Sequence, residues 1–266
     1  MKLTRTLATV TVVALLALTG CSKSTDAASA LTFGIDTTYA PDEFTDAKGN
    51  PIGWDVDLGK AIAKQMGRTA VFKIATFDSI IPGVTGGKYD AGLSSFSDTP
   101  EREKQIDFVN YYSDGIQWAN AIGTNVNPDN ACGLKIAVQT GTTSADDLTA
   151  KSKNCTDNGK APITQLKFDS QDMATQAAVT GRAAAVSADS PVIQYAVQQN
   201  SDKLELIGKP YDLVLYGIAV KKGNSAMVNS IKDALTAMLA DGTYTKILDK
   251  WGVTAGAVSS ITINGK

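Results

Sequence analysis

Residues 94–108 read SSFSDTPEREKQIDF, and they follow the apolar run YDAGL at 89–93. Four small hydroxyl residues, Ser94, Ser95, Ser97 and Thr99, stand where a strand-like run ends, and Arg102 sits at the start of a helix-like segment. Open α/β sheets hold their ligands in the loops beyond the carboxyl ends of strands. Hydroxyls and a guanidinium gathered at such a place make a candidate binding loop.

The chain around that loop alternates. LTFGI (31–35) reads as a buried strand, and DTTYAPDEFTDAKGNPIG (36–53) as a polar loop punctuated by proline and glycine. WDVDLGKAIAKQMG (54–67) places Val56, Leu58, Ile62, Ala63 and Met66 near helical spacing and stops on Gly67. TAVFKI is a strand, FDSIIPGVTGG a short helix, and YDAGLSS the strand that delivers the opening loop. Later, LKIAVQ, ITQLKF and AAAVSA are strands, each followed by a helix: TGTTSADDLTAKS, SQDMATQAAVTG and DSPVIQYAVQQN. LELIG and YGIAV read as two further strands, and NSAMVNSIKDALTAMLADG with TYTKILDKW as closing helices.

Repeated βα units of this length predict parallel sheets covered on both faces. The Pro/Asn-rich GTNVNPDNACG at 123–133 divides the chain, which predicts two sheets rather than one. The reading is a first lobe over 31–118, a second over 119–213, and a return of 214–266 to the first. The closing SSITINGK carries no readable pattern.

The first twenty residues have a basic start (Lys2, Arg5), an apolar middle from Leu7 to Leu18 and no acids. That is an export signal, short for a membrane span. It ends in Leu18-Thr19-Gly20-Cys21, which resembles a bacterial lipobox, where the cysteine is diacylated and becomes N-terminal. Residues 21–30 then read as a flexible tether. Removing the signal leaves 23 basic residues against the 27 acidic ones, with no long basic run. Nucleic acid is excluded as a partner, because phosphates need clustered positive charge.

Export also decides how Cys132 and Cys155 are read. In an oxidising space a disulfide is the default, with free buried thiols as the alternative. The chain contains no histidine, which removes Ser-His-Asp and Cys-His catalysis and leaves a poor set for zinc. No metal and no cofactor is expected.

Taken together the segments resemble the amino-acid-binding proteins of bacterial ABC importers, a two-lobed periplasmic-binding-protein type. The resemblance is carried by GIDTTYAPDEFTDAKGNPIGWDVDLGKAIAKQMG, GGKYDAGLSSFSDTPEREKQIDFVNYY, KIAVQTGTTS, GRAAAVSADSPVIQY, YGIAVKKGN and ADGTYTKILDKWG, in family order over most of 31–252. It implies an α/β type II fold, each lobe a mixed, mainly parallel sheet flanked by helices, joined by a two-segment hinge near 115–122 and 210–217.

The resemblance also implies a site. Arg102 matches the arginine that forks onto the ligand's carboxylate, as lysine could not. Ser95 and Ser97 match positions that meet the ligand's backbone. Thr142 and Thr143 would add amides at a helix start, where the dipole favours an anion. Asp189 matches the acceptor for the ammonium group, although Asp189 before Ser190-Pro191 also reads as a plain N-cap. Tyr39 would stack over the ligand. Asp36 would face its distal polar group, repelling glutamate and favouring a cationic or amide side chain.

Trp54 stands where the family often has phenylalanine or tyrosine, and core packing is its better reading. Asp42 replaces a usual aromatic, and Ala183-Ala184 replaces a usual aspartate after GR.

The implied function is a lipid-anchored, monomeric receptor on the extracytoplasmic face of the cell membrane. It would capture a polar amino acid and deliver it to an ABC permease and its ATPase. Two rivals remain: a cleft enzyme similar to cyclohexadienyl dehydratases, recruiting Glu43 or Asp36 as its acid, and a sensor domain for a signalling partner.

Overall fold

The computed structural model describes residues 29–266; the signal, Cys21 and most of the tether lie outside the described residues. In chain order the first elements are β1 (Ala30–Ile35), β2 (Thr38–Tyr39), β3 (Glu43–Thr45), β4 (Pro51–Ile52), α1 (Trp54–Gln65), β5 (Thr69–Ile74), α2 (Phe77–Thr85), β6 (Ala91–Gly92), α3 (Pro100–Glu103) and β7 (Ile106–Ala121). Then come β8 (Lys135–Gln139), α4 (Thr143–Asp157), β9 (Thr164–Phe168), α5 (Gln171–Val179), β10 (Ala185–Asp189), α6 (Ser190–Gln199), β11 (Leu204–Lys221), α7 (Ser225–Ala240), α8 (Thr243–Trp251) and β12 (Ala257–Ile263).

The expectation of two separate sheets is corrected. The main strands form one hydrogen-bonded path, β5-β1-β6-β11-β7-β10-β8-β9, with β12 added against β7. The cause is strand length: β7 has 16 residues and β11 has 18, so both run from one lobe into the other. LELIG and YGIAV are thus the two ends of β11 rather than two strands. Pairing of β11 with β7 slips between Ile207 and Tyr211 and again between Tyr211 and Val214. There the chains approach closely, and a Cβ on Gly115 would lie 2.5 Å from the Tyr211 carbonyl oxygen, so only glycine fits.

Each lobe is a ladder end covered on both faces. In the first, α1, α7 and α8 pack Leu58, Ile62, Ile231, Leu235 and Leu248 with Phe33 and Trp54 on one face. Ile80 and Val84 of α2 pack with Phe96 and Phe108 on the other. In the second, α5 and α6 cover one face through Ala174, Ala178 and Ile193, and Leu148 of α4 covers the other with Trp118 and Val138. Burial of this kind stabilises by about 25 cal/mol per Å² of apolar surface and fixes which way each strand end points.

Three further differences from the sequence reading have local causes. The polar loop 36–53 contains a small three-stranded antiparallel sheet, β2-β3-β4, too short to announce itself by alternation. YDAGLSS contributes only Ala91 and Gly92 to the ladder, because Ser95 then turns into the left-handed region with φ 49°. SSITINGK supplies most of β12, which pairs with Asn110 and Val109 of β7. Cys132 and Cys155 are joined, with Cα atoms 5.6 Å apart. Among the described residues no helix is long and apolar enough to cross a membrane.

Candidate functional site

The carboxyl ends of β1, β8 and β10 and the loop after β6 meet where the lobes face each other. Several hydrogen bonds cross that boundary. Arg102 Nη2 donates to the Gly141 carbonyl at 3.0 Å, and the hydroxyls of Ser97 and Thr143 lie 3.2 Å apart. Gln139 Nε2 donates to Asp36 Oδ2 at 2.6 Å, the Asp189 N–H donates to the Tyr39 hydroxyl at 3.2 Å, and the Gln171 N–H donates to Thr38 Oγ1 at 3.1 Å. The lobes are closed on each other.

Arg102 is positioned locally. Thr99 caps α3 by accepting the Arg102 N–H, and Pro100 opens the helix, so the guanidinium is thrown back along the loop it follows. Nη1 donates to the Ser97 carbonyl at 2.8 Å. The guanidinium carbon lies 5.4 Å and 5.5 Å from the ring centres of Phe77 and Phe96, an arrangement that favours a planar cation. Burial pulls its pKa down from the ordinary value, and Asp189 is the first of the charges opposing that pull. The guanidinium stays protonated regardless.

Asp189 begins α6, yet its side chain makes no capping bond. Asp114 takes that work, accepting from both the Ser190 N–H and the Ser190 hydroxyl. The Asp189 carboxylate is therefore free to turn to the cleft, where Tyr216 donates to Oδ2 at 2.7 Å. Burial, then the nearby Asp114 charge, push its pKa up to about 7, against the pull of Tyr216, Tyr39 and Arg102.

Asp36 is buried at the end of β1. It accepts from the Thr38 N–H at 3.0 Å and from Gln139, and burial still raises its pKa. Tyr39 is packed among second-lobe residues that include Ala188 and Val192. Thr142 caps α4, its hydroxyl accepting from the Ala145 N–H and donating to the Gln139 carbonyl.

Ser95 has both of its donors engaged inside the first lobe. Its N–H donates to Asp55 Oδ2 at 3.0 Å and its hydroxyl to Asp42 Oδ2 at 2.8 Å, so both donors face away from the cleft. Asp42, Glu43 and Asp55 are all fully buried behind this turn. Trp54 is core: its ring packs at a tilt against Tyr111 and Tyr112 and its indole N–H donates to Asp42 at 2.7 Å. The unusual Asp42 and Trp54 thus partner each other. Glu43, considered above as a cleft acid, accepts from the Ser94 hydroxyl inside the first lobe and does not reach the cleft.

Sequence reasoning passed over Gln139, Tyr216, Phe77 and Phe96. Gln139 ends a strand just before the Thr142 cap, a place where ligand-facing residues collect. Phe96 lies inside the opening motif itself. Neither Tyr216 nor Phe77 carried a local signal, since their role depends on contacts far along the chain.

Two lobes joined by a pair of long strands, with a cation and carboxylates enclosed between them, define a solute-binding protein. The chain belongs to the bacterial extracellular solute-binding proteins, family 3, which match residues 31–254. It is 35% identical over 237 residues to the arginine-binding protein ArgT of Corynebacterium glutamicum, covering 88% of this chain and 78% of that one. A solved ancestral arginine-binding protein bound to arginine superposes with TM-score 0.79 at 35% identity, over 85% of this chain and 99% of the other. The ancestral amino acid-binding protein AncCDT-1, a precursor of cyclohexadienyl dehydratase, superposes with TM-score 0.76 at 31% identity, over 84% and 95%.

Proposed function

We propose that this protein is a receptor for arginine, exported, anchored by a lipid on Cys21, and serving an ABC importer as a monomer. The observation that carries the reading is the charge layout of the closed cleft. One fixed cation, Arg102, stands at one end, and Asp189 and Asp36 offer carboxylates for two separate positive groups. An α-carboxylate, an α-ammonium and a distal guanidinium match that layout group for group. Buried charges are tolerated only when paired, so a ligand lacking the distal cation leaves Asp36 with Gln139 and Thr38 alone.

Residues 31–118 and 214–266 would form one lobe and 119–213 the other, closing about the slipped pairing of β7 with β11. Ligand contacts from both lobes then supply the differential affinity that favours the closed form. The Cys132–Cys155 bridge lies wholly in the second lobe and suits an exported protein.

The reading is tested by a thermal-shift screen of the purified protein against the twenty amino acids, since a ligand of the folded state alone raises Tm by mass action. Arginine should give the largest shift, lysine less, glutamate none, and Arg102→Ala should abolish the arginine shift. A shift with glutamate equal to that with arginine would overturn the assignment of Asp36. Incubation with prephenate or arogenate should give no aromatic product. Replacing Cys21 by alanine should move the protein from the membrane to the soluble fraction.

A further inference from the structure

Tyr216 stands between two carboxyl groups and has one hydrogen to give. Its hydroxyl oxygen lies 2.7 Å from Asp189 Oδ2 and 3.2 Å from Asp114 Oδ2. A phenol donates to one acceptor at a time, so when Tyr216 serves Asp189, its contact with Asp114 is attractive only if Asp114 carries a proton. The converse holds if Tyr216 serves Asp114. Three oxygens in a row thus call for one proton beyond the phenol's own.

Among the described residues, Arg102 is the one positive charge acting on this row. Asp189 is faced by Tyr39 of β2, Arg102 of α3, Tyr216 of β11 and Asp114 of β7. Asp114 is faced by Ser190 of α6, Tyr216, Tyr112 and the buried Asp42. Arg102 is engaged by the Ser97 and Gly141 carbonyls. Asp114 also lines a cavity of about 610 Å³ behind the cleft, on the hinge side, with Tyr112, Tyr195, Leu213 and Trp251. One end of the row touches the ligand position, and the other borders a second opening to solvent.

We propose that the Asp189–Tyr216–Asp114 row exchanges a proton for the ligand's ammonium group, with Asp114 passing that proton to the rear cavity. The inference rests on the amino-acid reading of the cleft. Before binding, the row holds its extra proton. When the ammonium reaches Asp189 its charge replaces the proton, the phenol turns wholly to Asp114 or Asp189, and the released proton goes to buffer through the rear while the front is closed. Asp114 is therefore a positioning residue for the amine site, acting through Tyr216.

Calorimetric titration of arginine into the purified protein, in buffers of different ionisation enthalpy near neutral pH, counts the protons released. The unmutated protein should release a substantial fraction of one proton, and its affinity should fall roughly tenfold between about pH 8 and about pH 6. Asp114→Asn should release almost none and bind with a nearly flat pH profile, while Asp114→Glu restores both. Release should persist in Asp36→Asn, which separates this row from the distal carboxylate. Binding of arginine with no proton release by the unmutated protein, or with release unchanged in a folded Asp114→Asn, overturns this inference alone. Failure to bind any amino acid overturns the function proposed above and this inference with it.

Discussion

Gln139 Nε2 and Asp36 Oδ2 form a 2.6 Å hydrogen bond between the two lobes, at the floor of the closed cleft. The amide belongs to the end of β8 and the carboxylate to the end of β1. The oxygen proposed above to select the ligand thus also latches the lobes, and the two roles can be separated by substitution.

Asp36→Asn keeps the size and an acceptor but removes the charge. Arginine affinity should drop about tenfold or more, as expected for losing a charged hydrogen bond of roughly 1.5–3 kcal/mol, while glutamine affinity holds or rises. Titration of both ligands against the variant measures the ratio. An unchanged preference for arginine would place the distal cation elsewhere.

Gln139→Ala tests the latch. It leaves the Asp36 charge in place but removes its partner from the second lobe. The unliganded protein should spend more time open, read as a larger radius of gyration by small-angle scattering, and arginine should restore compactness.

Arg102→Lys preserves the charge and loses the fork. Nη1 and Nη2 reach carbonyls in different lobes, and a single ammonium on a flexible stem cannot bond Ser97 and Gly141 while also gripping a carboxylate. Arginine affinity should fall about tenfold to a hundredfold, with little change in the Tm of the unliganded protein.

Reduction of Cys132–Cys155 opens a loop with a sequence separation of 23. Chain-entropy reasoning gives about 3 kcal/mol of lost stability for a loop of this size. Paired Cys→Ser variants should therefore melt several degrees lower, with ligand preference unaltered, because the bridge joins α4 to the turn before β8 and does not border the cleft.

Much of this architecture is legible in local pattern. Helical spacing in 54–67 and the capping residues Thr99, Thr142 and Ser170 mark real helix starts, because those signals depend on neighbours within one turn. The long reach of β7 and β11 is not legible. Glycine and aspartate at 114–115 and 208–212 interrupt the apolar pattern where the strands cross between lobes, so a continuous strand reads as fragments. Arg102 could be singled out from its motif, but which way Ser95 turned could not. That depends on Asp42 and Asp55, tens of residues away, holding both of its donors.

That buried acid group makes the last prediction. Asp55 Oδ2 accepts from Tyr111 and Ser95, whereas Oδ1 has no donor unless the neighbouring Glu43 carries a proton. Burial raises the Asp55 pKa from 3.8 to about 7. Below the ordinary carboxylate range, native and unfolded chains are both protonated there, and the stability contributed by this group is fully present. Between about pH 4 and pH 7 the unfolded chain has released its proton while the native chain still holds one, so stability falls as pH rises. Above that window the native carboxyl is forced to ionise among Asp42 and Glu43, and the loss is complete. Asp55→Asn does not titrate, and its amide can donate to Glu43 where Oδ1 had no partner. Melting curves from pH 4 to pH 8 should show the variant losing less Tm across this interval than the unmutated protein, and overtaking it toward the alkaline end. Parallel curves would mean that the carboxyl is already ionised in the native fold at pH 4, and that its charge is balanced by the donors of Ser95 and Tyr111 alone.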